Sequence, residues 1–152
     1  MEQNTTFTVS EVSLTYSPSY KIADRPRISS SKHAYDVVQS QWDHSKINLL
    51  EQFKVILLNR GNSVLGIVSI SQGGMTGTIA DPKLIFVAAL KAAASYIILV
   101  HNHPSENLKA SAEDIRLTKK LVEGGKLLDI MVVDHLIISK DGYYSFCDEG
   151  LI

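Results

Sequence analysis

Cysteine is nearly absent: Cys147 alone stands among 152 residues. This excludes an internal disulfide framework and every zinc site built on cysteine pairs. Its only charged neighbour, Asp148, disfavours a thiolate, so the thiol is read as inert. An excess of basic side chains is also lacking, with fifteen Lys and Arg against sixteen Asp and Glu and a formal net charge of -1. A module held to nucleic acid mainly through phosphates is usually basic, so that function class starts at a disadvantage. No long apolar run occurs either. The most apolar stretch, Leu84 to Val100, is interrupted by Lys91 and Ser95 and runs directly into the polar HNHPS. It is short for a membrane span and predicts a core helix followed by a buried strand. The opening MEQNTTFTVS has no basic start followed by an apolar core, so the expectation is a cytoplasmic, reduced protein without a secretory leader. HExxH and P-loop patterns are missing. The zinc-deaminase pattern, H-x-E with P-C-x-x-C, cannot be met with one cysteine. The letters His101-Asn102-His103 do not make an HNH nuclease, whose named residues are spread over a ββα-metal motif.

What is present predicts one folded domain. Apolar residues make up 45% and charged residues 20%, and the length suits a single core at about 100–200 residues per domain. Residues 1–27 carry Pro18 and Pro26 and few large apolar side chains; they are expected to form an extended arm, with Val9–Tyr16 as a loosely alternating edge strand. Ser30 or Ser31 caps a helix from about Lys32 to Trp42, with Ala34, Val37, Val38 and Trp42 inward. Phe53–Leu58 and Val64–Ile70, joined by NRGN, read as a hairpin. Gly73, Gly74 and Gly77 mark a flexible loop. Asp81-Pro82 starts a helix expected to reach about Ser95, and Tyr96–Val100 follows as a buried strand. A third helix from Ala112 is expected to close at Gly124-Gly125. Ile130–Ser139 and Tyr143–Phe146 are the last strands, around an Asp141-Gly142 turn. Strands interleaved with helices give an α/β class with a mixed sheet flanked by helices.

The chemistry concentrates at the end of the predicted Tyr96 strand. His101 and His103 are two residues apart, so extended backbone projects both to one face, and Pro104 then ends the ladder. Asp114 offers a carboxylate from the first turn of the next helix. Two histidines and one carboxylate, with a fourth position for water, form a catalytic zinc arrangement. Each part also has a plainer reading. His-x-His arises by chance, and Ser111 with Asp114 has the form of a helix capping box. A cap does not account for two histidines at a strand end.

Taken together, residues 101–114 satisfy H-x-H-x(7)-S-x(2)-D and resemble the JAMM metallopeptidase motif. FKVILLNRGNSVLG, the Gly77-Thr78 loop end, AALKAAASYIILVHNHPS, SAEDIRLTKKLVEGGKLLDI and VVDHLIIS…GYYSFCDEGLI are similar to the RadC family over roughly residues 28–152. The resemblance is to a short form without the helix-hairpin-helix segment of longer members. It implies a JAMM/MPN domain of three-layer, cytidine-deaminase-like architecture. It further implies one zinc ion per chain held by His101, His103 and Asp114, with Glu51 as general base and Ser111 as donor to the oxyanion. The implied activity is zinc-dependent hydrolysis of amide, peptide or isopeptide bonds in an unidentified peptide or protein substrate. Two departures bear on loop shape: Glu106 stands where the family commonly has Gly, and Ala110 where it often has Pro. Losing the Gly removes permission for positive φ.

A second function class stays open at this stage, a DNA repair or recombination module that binds nucleic acid or partner proteins without hydrolysis. A metal-binding scaffold with latent catalysis is a third, disfavoured by the complete residue set. Membrane association is not expected, and a homo-oligomer is left open. Asp134 and His135 are read as a hydrogen-bonded structural pair in preference to helpers of the site. His33 and His44 are read as surface residues, and Lys119, Lys120 and Lys126 as a solvated helix face.

Overall fold

The computed structural model describes residues 6–74 and 79–152. Its centre is a five-stranded sheet in the order β2-β1-β3-β4-β5, formed by β1 (Gln52–Leu58), β2 (Val64–Gln72), β3 (Tyr96–Asn102), β4 (Met131–Ile138) and β5 (Tyr143–Ser145). β1 pairs antiparallel with β2 and β3, β3 runs parallel to β4, and β5 returns antiparallel. The sheet is therefore mixed, as the sequence predicts. The parallel pair needs a crossover, which α3 (Ala112–Leu127) supplies.

Both sheet faces are covered because the strands are apolar at consecutive positions. Val55, Leu57, Ile97 and Leu99 pack with Ile85 and Ala89 of α2 (Pro82–Lys91) and Leu121 of α3. The alternate residues Ile56, Leu58, Ile98 and Val100 pack with Ala34 and Val38 of α1 (Ser31–Gln39) and with Trp42. The result is three layers, helix–sheet–helix. No described helix is long and apolar enough to cross a membrane; the Leu84–Val100 stretch is divided between α2 and β3.

Several expected boundaries move for identifiable reasons. Ser30 is the N-cap of α1 and accepts from the His33 amide, but the helix ends at Gln39, three residues before Trp42, which is nonetheless buried. α2 starts as expected, with Asp81 capping Lys83 N and Pro82 in the first turn, but ends at Lys91 rather than near Ser95. Ala93 adopts φ +54°, and the Ala93 and Ala94 amides donate to Leu90 and Ala89 carbonyls. That is a Schellman ending without its usual glycine. α3 ends the same way at Asp129, also φ +54°, with Asp129 N on Lys126 O and Ile130 N on Gly125 O.

Gly124 and Gly125 therefore lie inside α3 and do not close it. Their role is close approach: a Cβ on Gly125 would stand 2.1 Å from the Ile130 carbonyl oxygen, and one on Gly124 would stand 3.1 Å from the Phe86 ring. The Gly125 neighbour is backbone and cannot rotate away. Gly125→Ala is expected to destabilise the fold by about 3 kcal/mol, lowering the midpoint of thermal unfolding by roughly 6–12 °C for a domain of this size.

The expected strand over Val9–Tyr16 does not form. The described part of this segment is irregular and exposed, because alternation alone cannot order a strand that no sheet edge pairs. The arm touches the outer strand through side chains: the Tyr16 hydroxyl donates to Leu65 O, and Tyr20 donates to Val64 O at 2.8 Å. A 3-10 turn at Ile22–Asp24 follows, and Arg27 then bridges to Ser63. The glycine loop's Gly77 and the Gly77-Thr78 motif lie outside the described residues.

Candidate metal centre

Three segments converge at the carboxyl end of β3. The register sets Phe53 of β1 beside His101, and His101 beside Ile137 of β4. His101 lies on the face covered by α2 and α3, and its ring stacks on Phe53 at 5.8 Å between centroids. His103 is one residue beyond the strand. The two Nε2 atoms are 3.0 Å apart, so the expected common face is realised. Asp114 Oδ1 lies 3.2 Å from His101 Nε2 and Oδ2 lies 3.3 Å from His103 Nε2.

The capping box and the site are one arrangement, not alternatives. Ser111 Oγ accepts from Asp114 N at 3.0 Å, and Asp114 Oδ2 accepts from Ser111 N at 2.8 Å. The cap fixes the carboxylate rotamer, and the first turn of α3 aims it at the imidazoles. Ser111 uses a lone pair in this cap and keeps its hydroxyl proton to donate elsewhere.

Glu51 immediately precedes β1. Its carboxylate and the His101 and His103 rings offer ligand atoms all within 4.8 Å of one another. Asn102 anchors the segment that carries Glu51: its Nδ2 donates to Ile47 O at 2.6 Å and Leu50 O at 2.8 Å, and its Oδ1 accepts from Gln52 N at 2.8 Å. Asn102 is fully buried. Its role follows from strand alternation, which turns it away from its histidine neighbours, but spacing alone does not name its partners.

The electrostatics favour a cation. Burial alone would raise the Asp114 pKa, but the His101 and His103 rings and the Ser111 amide outweigh it and hold the carboxyl well below its usual range. Hydrogen bonding to Asp114 raises the His103 pKa against the opposing effect of burial. His103 Nδ1 lies 2.5 Å from the Asn107 carbonyl, which can only accept, so a neutral His103 presents a bare Nε2. Four polar atoms thus crowd within hydrogen-bond range with more lone pairs than protons. A divalent ion with nitrogen and oxygen ligands removes that imbalance, so the residues present fit a metal.

The loop between the histidines and α3 contains the departure at Glu106. The residue takes positive φ, +64°, despite carrying a side chain. It is held there by Glu106 N on His103 O at 2.9 Å and by Asn48 Nδ2 on Glu106 Oε1 at 3.1 Å. Glu106→Gly is expected to stabilise the chain by about 0.5–1 kcal/mol through relief of this conformation, net of the lost Asn48 contact. Chemical denaturation would read it as a higher midpoint at unchanged slope.

Asp134 and His135 are hydrogen-bonded, but through the His135 amide and not ring to carboxylate. Asp134 accepts from the His135 amide, the Cys147 amide and the Ser145 hydroxyl, and burial raises its pKa. The His135 ring points to the other side of the sheet, with Nε2 2.8 Å from His101 Nδ1 and Nδ1 2.6 Å from Thr118 Oγ1. The ring therefore also sits behind His101, a contact that the pair reading did not include. Its signal was faint: the contact crosses the β3–β4 pair, which local spacing does not reveal. The remaining candidates stand as expected. His33, His44, Lys119, Lys120 and Lys126 are exposed. Burial, then Asp134 and Asp148, push the Cys147 thiol up.

The model of the RadC-like JAB domain matches residues 28–151. A UPF0758 protein of Flavobacterium johnsoniae is 41% identical over 128 residues, covering 82% of this chain and 53% of the relative. One from Alkaliphilus metalliredigens is 48% identical over 102 residues, covering 67% and 44%. One from Porphyromonas gingivalis is 38% identical over 136 residues, covering 89% and 59%. The chain spans about half the length of the curated relatives it matches. On the family-model match and these relatives, the chain belongs to the RadC-like JAB domain family.

Proposed function

We propose that residues 28–152 form a zinc-dependent, JAMM-type hydrolase domain for amide, peptide or isopeptide bonds, with residues 1–27 as an appended arm. The observation that carries this reading is the cluster of His101, His103 and Asp114 atoms within 3.0–3.3 Å of one another, with Glu51 beside it. His101, His103 and Asp114 would hold one zinc ion per chain. When bound, the ion supplies Lewis acidity, polarising a carbonyl and lowering the pKa of a water to about 7.

The chain's own groups supply the rest. Glu51 takes a proton from the attacking water and delivers it to the leaving nitrogen. Ser111 donates its free hydroxyl proton to the oxyanion, a contribution of about 3–4 kcal/mol when the donor is well placed. Asn102 holds the Glu51 segment, and the α3 cap holds Asp114. The substrate is a peptide or protein, and the cytoplasm is the compartment in which this reading sets the domain. The alternative, a nucleic-acid-binding module without hydrolysis, gains no support from a net charge of -1.

The test combines metal analysis with activity. The purified chain is expected to carry zinc near one per chain and to cut members of a peptide and isopeptide library, with loss of cutting on chelation and recovery on zinc return. A zinc-loaded chain that cuts nothing, yet binds duplex DNA with affinity falling steeply in salt, would transfer the assignment to the non-hydrolytic module.

A further inference from the structure

The hydrogen bonds behind His101 form a chain whose proton positions follow from one end. Thr118 Oγ1 lies 2.6 Å from the Asp114 carbonyl oxygen, which can only accept, so the single hydroxyl proton of Thr118 is spent there. Towards His135 Nδ1, at 2.6 Å, the same oxygen can then only accept. His135 Nδ1 must therefore carry a proton. With the ring neutral, His135 Nε2 is bare and accepts from His101 Nδ1 at 2.8 Å. His101 Nδ1 is then the protonated nitrogen, and His101 Nε2 is left as a lone pair facing Asp114 Oδ1 and His103 Nε2.

The surroundings keep the His135 ring neutral and fixed. It is fully buried, stacks on Phe146 at 4.6 Å and meets Phe53 edge-on at 5.7 Å. The chain closes on itself: it starts at the carbonyl of Asp114 and ends at a nitrogen 3.2 Å from the carboxylate of the same residue. It ties α3 to β4 and β4 to β3.

We propose that Thr118 and His135 are positioning residues that lock His101 in the tautomer with a bare Nε2 and so preset the metal centre. The proposal rests on the reading of that centre as a metal site. A histidine donating to a neutral imidazole, and not to a carboxylate, has two consequences. The ligand orientation is fixed as in the usual second partner of a metal-bound histidine, but no extra negative charge is placed behind it. The ion consequently keeps more of its electrophilic character.

The experiment uses the full 152-residue chain and zinc competition against a chromophoric chelator at one pH. His135→Leu removes the acceptor for His101, and Thr118→Val removes the acceptor for His135 while leaving both rings. Each is expected to weaken zinc binding about 10–100-fold. His135→Gln restores an acceptor oxygen and is expected to recover most of the loss, which mere filling of the core would not do. Long-range proton–nitrogen NMR of the histidines should show His101 and His135 protonated at Nδ1, and His135 should shift towards the other tautomer in Thr118→Val. If His135→Leu fails to fold, Thr118→Val and the NMR tautomers decide alone. Wild-type zinc binding matched within twofold by the folded variants overturns this proposal and leaves the metal centre standing. A wild-type chain that binds no zinc overturns both.

Discussion

Zinc content of His103→Ala is expected to fall from about one ion per chain to the level of a chelated control. His103 and His101 present their Nε2 atoms 3.0 Å apart, and Asp114 reaches one with each oxygen. Removing one of three protein ligands leaves a bidentate remnant that cannot define a closed side of a zinc site. Plasma emission analysis after dialysis reads the result, and unchanged stoichiometry would refute the ligand assignment. The proton is the natural competitor. Asp114 raises the His103 pKa from its ordinary 6.5, so wild-type zinc affinity is expected to fall as pH drops through that elevated value, by up to about tenfold per pH unit for one displaced proton. Above it the dependence on His103 should flatten. In metal-free protein the sign reverses for stability: the His103–Asp114 attraction is fully present below about 6.5, the unfolded value, and is lost as pH rises through the folded one.

Glu51→Gln is expected to lower the turnover of a cleavable substrate by about 10²–10⁴-fold, the range for loss of a general base, while zinc stoichiometry stays at one. The amide keeps the shape and a hydrogen-bonding oxygen but cannot take a proton at neutral pH. Geometry makes the metal readout informative, because Glu51 offers an oxygen within 4.8 Å of both histidine ligand atoms. If zinc is lost along with turnover, Glu51 is a ligand and the roles of Glu51 and Asp114 must be exchanged. The present assignment follows the motif resemblance, and Asp114 lies 3.2 and 3.3 Å from the two ring nitrogens.

The elements most readable from sequence were those whose signals are local. Ser30 and Asp81 cap their helices, Asn59–Asn62 turns the hairpin, and the apolar runs at Phe53 and Tyr96 become central strands. The His-x-His pair was legible for the same reason, since two residues of extended chain determine a face. Helix ends were less legible because the left-handed position falls on Ala93 and Asp129, where composition gives no warning. Gly124 and Gly125 misled in the opposite sense: they answer to the Phe86 ring and the Ile130 carbonyl across a helix–sheet contact, which no local pattern encodes. The roles of Asn102 and Thr118, and the site contact of His135, were not legible because these residues act on partners 17 to 55 positions away. Their roles depend on sheet register, and that becomes visible only when β1, β3 and β4 are side by side.

The shared use of Asp114 as helix cap and cluster member couples two equilibria. Until the first turn of α3 is wound, no carboxylate faces the histidines, so an unfolded chain offers an ion only scattered, weak partners. Any cation that prefers the assembled centre must therefore report on folding itself. At a free concentration one hundred times its dissociation constant it would add about 2.7 kcal/mol to the native state, and the thermal midpoint would move with metal concentration as it would for a structural ion.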